Sequence, residues 1–225
     1  SITMGERFMD AQLKAARLIS SEHGIDAARR YLRELPLSEP EQQIQRYLVE
    51  GELLSSEERY EEAIALYDDS LVLFIDNSQL LYARALTAEK LDRLDILEKD
   101  LKRILSKDPE NTQALNALGY TLADRTNRHK EALGYIEQAY RQQPDDPAIL
   151  DSMGWVHYRL GRLDEAQKYL EQASALLKDA EIAAHLGEVL WANGKKEEAR
   201  QVWNEALKFA PDHKVLQQTI ERFTP

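Results

Sequence analysis

The chain contains no cysteine, so no disulfide, thiolate metal site or cysteine nucleophile can be built from it. That absence fits a reducing and an oxidising compartment equally. Positive charge is in short supply: 29 Lys and Arg stand against 40 Asp and Glu, a formal net charge of -11 over 225 residues. Nucleic acids and anionic membrane surfaces are held by clustered Lys and Arg, so this balance argues against both as partners. No apolar run approaches the roughly 18–20 residues of a membrane span, and no direct membrane insertion is expected. Glycine and proline are scarce, 9 and 7 residues, while Ala, Leu, Glu, Lys, Gln and Arg are abundant. That composition predicts an all-α protein. The opening residues do not read as a signal peptide, and a start at Ser1 rather than Met is expected of a piece of a longer protein.

Chemistry-bearing motifs are absent as well. No GxxxxGK, GxGxxG, GxSxG or HExxH occurs, which leaves no phosphate loop, nucleophile elbow or zinc helix. The five histidines, His23, His129, His157, His185 and His213, are scattered along the chain. His185 and Glu188 lie three apart on one predicted helix, but two ligands do not make a metal site, and an ordinary surface pair is expected. His157 takes a core-facing position and reads as a hydrogen-bonded packing residue. Glu57, Glu58, Glu61 and Glu62 read as a solvated helix face. No catalytic residue, metal or cofactor is predicted.

What the chain does have is a repeat. From Pro147 to Ala180 two amphipathic patterns are split by a turn at Gly161-Arg162. Leu150, Met153, Gly154 and His157 share one face of the first, and Leu163, Ala166, Leu170 and Ala173 one face of the second, at the spacing of a helix with one buried stripe. The small residue at Gly154 recurs as Ala16, Gly51, Ala85, Gly119 and Gly187, and Ala166 has counterparts at Ala28, Ala63, Leu97, Ala132 and Ala199. Steps of 33–35 residues with two helices per period are the mark of a helical repeat.

At these residues the chain resembles the tetratricopeptide repeat (TPR) family. LNALGYTL, LDSMGWVHY and AAHLGEVLW match its first-helix pattern; EALGYIEQAYRQQP, EAQKYLEQA and EARQVWNEALKFAP match its second. The resemblance implies a right-handed α-solenoid of about six helix-turn-helix units with a C-terminal capping helix. Residues 1–7 are expected to be frayed, 8–111 to hold three diverged units, 112–213 three regular ones, and 214–225 the cap. Pro40, Pro109, Pro144 and Pro211 are expected to close second helices. Asp146-Pro147 reads as an N-cap with proline at the first helical position, and Gly161 and Gly194 as left-handed residues ending first helices. Leu97 and Ile104 stand where alanine is expected, across from small Ala85 and Ala88, as in a volume exchange.

In this family first helices line a concave groove. Carried over residue by residue, the groove positions of units three to six are Tyr82, Asn116, Tyr120, Asp151, Trp155, Tyr158, Arg159, Glu188 and Trp191. Rings interspersed with polar groups suit the capture of a peptide or protein; the other reading is that Trp155 and Tyr120 pack against each other between adjacent first helices. The subtype that clamps the carboxylate of chaperone tails needs Asn at a position occupied here by Arg17, Glu52, Leu86, Tyr120, Trp155 and Glu188, so that ligand is not expected. Phrases such as ALNALGY and DSMGWV resemble the C-terminal arrays of Gram-negative TPR lipoproteins, in particular outer-membrane adaptors of a carboxyl-terminal processing protease. That resemblance implies a scaffold on the periplasmic side of the outer membrane, bringing an envelope protease to peptidoglycan hydrolases. The lipid-bearing cysteine of such a protein is not in this sequence, as expected of a fragment lacking that end. The alternative is an assembly or self-association module of another envelope complex, such as one for cell-wall synthesis.

Overall fold

The computed structural model describes residues 4–223, with side chains from Met9 onward. Thirteen α-helices and no strand occur among the described residues, an α-solenoid of paired helices. The chain divides into two compact units, Ser1–Pro109 and Glu110–Pro225.

The first unit holds α1 (Met4–His23), α2 (Ile25–Glu34), α3 (Pro40–Ser56), α4 (Tyr60–Leu73), α5 (Ser78–Lys90) and α6 (Leu94–Lys107). Each odd-numbered helix packs on the even-numbered one that follows, and α1, α3 and α5 pack on one another in succession. The segment expected to fray is helical from Met4; residues 1–3 lie outside the described residues. Pro40 does not close α2. That helix stops at Glu34, Leu35 is extended, and Pro40 takes the first position of α3, where its missing N–H and fixed φ cost nothing. In the third hairpin Leu97, Ile104, Ala85 and Ala88 are all buried, as a volume exchange requires.

The second unit holds α7 (Thr112–Arg125), α8 (His129–Gln142), α9 (Pro147–Arg159), α10 (Leu163–Leu176), α11 (Ala180–Ala192), α12 (Lys196–Phe209) and α13 (Lys214–Phe223). Pro109, Pro144 and Pro211 each lie two residues past the end of a second helix. The side chains of Asn77, Asn111, Asp146 and Asp179 accept amide hydrogen bonds at the starts of α5, α7, α9 and α11, satisfying donors that a helix start leaves free. The last helix, α13, packs on α11 and α12 as the first helix of a further repeat would. It buries Leu216 and Thr219 and leaves Lys214, Gln217, Gln218 and Glu221 exposed.

Close approach within a hairpin is specified by glycine against a large residue. A Cβ on Gly187 would overlap the Trp203 ring, and one on Gly154 would overlap Leu170 while sitting 3.1 Å from the Ala166 carbonyl oxygen. The side chain sixteen residues on therefore fills the space over the glycine. The alanines at Ala166 and Ala199 admit the backbone.

Gly161 and Gly194 adopt φ of 75° and 81°. A Cβ there meets nothing within 4 Å, so only the left-handed backbone demands glycine. Gly194→Ala is expected to lower unfolding stability by about 1 kcal/mol, read from the urea midpoint with an unchanged slope.

Candidate functional site: the first-helix face of the second unit

Of the nine positions expected to line a binding surface, Tyr82 lies half-buried in α5 of the first unit; the other eight lie in the second. There, α7, α9, α11 and α13 pack in succession, and a polar network runs across them. Asp151 of α9 meets His185 of α11, with Nδ1 2.9 and 3.0 Å from the two carboxylate oxygens. Trp155 stacks on the His185 ring at 4.1 Å between centroids, and Tyr120 of α7 tilts against it at 6.1 Å. The Tyr120 hydroxyl donates to Glu181 at 2.9 Å. Trp155 Nε1 donates to Asp124 at 3.1 Å, and Arg159 donates to the Asp124 backbone oxygen at 2.7 Å. On the other side Glu188 takes an ion pair from Arg222 of α13.

Burial and charge set the protonation of this face. Burial pushes His185 down, but the Asp151 carboxylate, then Glu181 and Asp124, outweigh it, and the net pKa is raised. Burial and then Glu188 push the Tyr158 phenol up to about 12. Burial, then Glu181, Asp124 and Asp151, drive Tyr120 higher still. The tyrosines are donors and the imidazole leans toward its charged form.

Asp151, Trp155 and Glu188 are therefore not exposed ligand contacts. They are 7%, 6% and 6% exposed, and their polar atoms are taken up by neighbouring helices. Trp191 is also placed differently from the expectation. It is half-buried against Trp203 at 5.9 Å and Phe223 at 5.9 Å, under Lys196 and Arg200. Nor do Trp155 and Tyr120 stack on each other; both flank His185. The partly accessible members are Tyr82, Asn116, Tyr120, Tyr158, Arg159 and Trp191, and Asn116 Oδ1 is buried with no donor among the described residues.

The expected surface pair of His185 and Glu188 is corrected too. Both are buried, and each bonds a different helix. No group of three metal-ligating side chains occurs among the described residues. The Asp151–His185 pair is buried, with the Trp155 ring stacked on the imidazole. His157 is buried as expected and stacks on Tyr169, but its Nδ1 has no hydrogen-bond partner among the described residues.

Sequence reasoning missed the pairs themselves. In the first unit Glu50, 1% exposed, is held by Arg29 and Arg33. Asp100, also 1% exposed, is gripped by Arg84 at 2.7 Å through two nitrogens. The first-helix pairs carry one signal that could have found them: partners lie one repeat apart. Asp151–His185 and Glu188–Arg222 are 34 residues apart, Asp124–Arg159 and Arg17–Glu52 are 35.

A tetratricopeptide repeat family model matches residues 82–147 and 152–214. The TPR repeat-containing protein PA4667 of Pseudomonas aeruginosa is 45% identical over 220 residues, covering 98% of this chain and 37% of the relative. Human protein O-mannosyl-transferase TMTC1 is 26% identical over 177 residues, 76% of this chain and 20% of that protein. The chain thus spans well under half the length of these relatives. Among solved structures, the thermophilic TPR protein TTC0263 of Thermus thermophilus matches with a TM-score of 0.70 at 26% identity, over 79% of this chain and 97% of that one. PilW, a type IV pilus biogenesis factor, matches at 0.72 and 15% identity over 95% and 98%, a likeness of fold alone.

Proposed function

Because the chain belongs to the tetratricopeptide repeat family, we propose that it is a non-catalytic scaffold binding partner proteins or peptides. We further propose that in the cell it brings an envelope carboxyl-terminal processing protease together with peptidoglycan hydrolases on the periplasmic side of the outer membrane. The observation that carries the scaffold reading is the first-helix face of the second unit. Ion pairs and hydrogen bonds one repeat apart hold α7, α9, α11 and α13 in register, and Tyr120, Tyr158 and Arg159 remain partly accessible on that frame. Preorganised rings lose little entropy on binding, and a rigid frame holding two proteins raises their effective concentration without new chemistry. The finer reading rests on the resemblance of phrases such as ALNALGY and DSMGWV to those of envelope lipoproteins.

Affinity capture from a Gram-negative envelope extract tests it. Co-recovery of a serine protease with a cell-wall hydrolase is the expected result. Recovery of cell-wall synthases or of the chain alone would instead indicate an assembly module. Arg159→Glu should reduce capture about tenfold and also lower the unfolding free energy by about 1 kcal/mol, because it breaks the hydrogen bond to the Asp124 carbonyl and sets a carboxylate near Asp124.

A further inference from the structure

The second helices α8, α10 and α12 leave two intervals, and the two are filled differently. Between α8 and α10 three rings pack: Tyr140 meets Tyr169 edge to face at 5.6 Å, and His157 of α9 stacks on Tyr169 at 5.5 Å. One repeat later the residues in register are Ser174, Val202 and Leu190. All three line a groove of about 740 Å³ between α10 and α12. The space that three rings occupy in one interval is open in the next, over a floor of buried Leu186 and Leu190. Phe209 stands at its edge, 49% exposed.

The groove's rim is acidic. Its lining includes the carboxylates Glu171, Asp179, Glu198 and Glu205 and two cations, Lys178 and Lys208, and Lys208 is bonded to Glu205 at 2.5 Å. An apolar slot shaped by missing rings takes an aromatic side chain best, and a rim short of cations favours a ligand that supplies them. We propose that this groove, on the second-helix side, binds a segment of a partner protein that carries an aromatic residue flanked by lysine or arginine. The proposal rests on the chain's being a protein-binding module. It does not depend on which partner the first-helix face holds.

The test uses purified chain and two short fluorescein-labelled peptides, each with a central phenylalanine, one flanked by lysines and one by glutamates. The lysine peptide should bind at least about tenfold tighter, and replacing its phenylalanine by alanine should cost about tenfold or more. Amide shifts in NMR spectra should centre on Ala183, Leu190, Val202 and Phe209. Val202→Tyr, which restores the ring that α10 carries, should abolish binding at an unchanged unfolding midpoint. The pair Glu171→Lys and Glu198→Lys, both at exposed positions, should invert the preference toward the glutamate peptide; it decides the matter alone if Val202→Tyr does not fold. Equal binding of both peptides, shifts confined to α7 and α9, or wild-type binding by folded Val202→Tyr would overturn the proposal. So would a concentration-dependent dimer abolished by Val202→Tyr, which would make a second copy the occupant. Failure to capture a protease from envelope extract bears on none of these readouts.

Discussion

Trp203→Ala is expected to cost about 3–5 kcal/mol, enough to leave the second unit marginal or unfolded at room temperature. Trp203 is 1% exposed and the largest fully buried side chain. It lies over Gly187, stacks with Trp191 and Phe223 at 5.9 and 6.0 Å, and its Nε1 faces the Ala184 carbonyl at 3.4 Å. Gly187 has no side chain with which to fill the space, so truncation leaves a void that the backbone must close or tolerate. The same geometry predicts a coupling. Gly187→Ala alone drives a methyl into the indole and should cost about 1–3 kcal/mol. In a Trp203→Leu background it should cost less, because alanine facing leucine is the pairing at Ala16 and Leu32 of the first unit. A double-mutant cycle by urea unfolding measures this; additive losses would mean that Gly187 and Trp203 do not share the space.

The second large effect belongs to Asp151. Asp151→Ala removes the carboxylate from a buried imidazole, and a loss of about 3 kcal/mol near neutral pH is expected, the low end for breaking a buried pair, because the imidazole can shed its proton. The wild-type pH profile follows from two histidines shifted in opposite senses. His185 is raised when folded, so its contribution is complete below the unfolded value of about 6.5 and is lost as pH rises through the folded value. His157 is lowered, by burial first and then by Arg162; it favours folding above about 6.5 and loses that contribution as pH falls through its folded value. Histidine titration alone should therefore give a maximum near pH 6.5. Asp151→Ala should flatten the alkaline side and steepen the acid side, because the buried His185, without its carboxylate, then resists protonation. Urea midpoints measured across this range in both proteins check it, and a wild-type midpoint that climbs steadily into the alkaline range would refute the assignment.

Both predictions turn on residues whose identity was visible in the sequence but whose environment was not. Periodicity placed Gly187 and Ala199 on facing stripes of one hairpin, and the hairpin formed accordingly. The family resemblance, carried over residue by residue, assigned Asp151, Trp155 and Glu188 to a groove-lining row, because a template position fixes a face of one helix and not what covers it. Their burial comes from α11 and α13, a repeat away. The spacing of 34 or 35 residues between Asp151 and His185, Glu188 and Arg222, and Asp124 and Arg159 is the signal that reading lacked. Opposite charges one period apart in a stacked array are to be read as pairs, as those four apart are on a single helix. Pro40 misled for a related reason: proline stops a helix behind it or starts one ahead, and only the short reach of α2 decided between them.

The sequence by itself determined the all-α class, the two-helix period, the register of small residues and the left-handed glycines. These follow from local stereochemistry and from spacing along one chain. Tertiary structure alone decided which polar side chains lie in the dry space between first helices and which rings fill the gaps between second ones. The cost of removing a charge from water, or of leaving a groove open, depends on atoms brought close from a repeat away, and no local pattern encodes it.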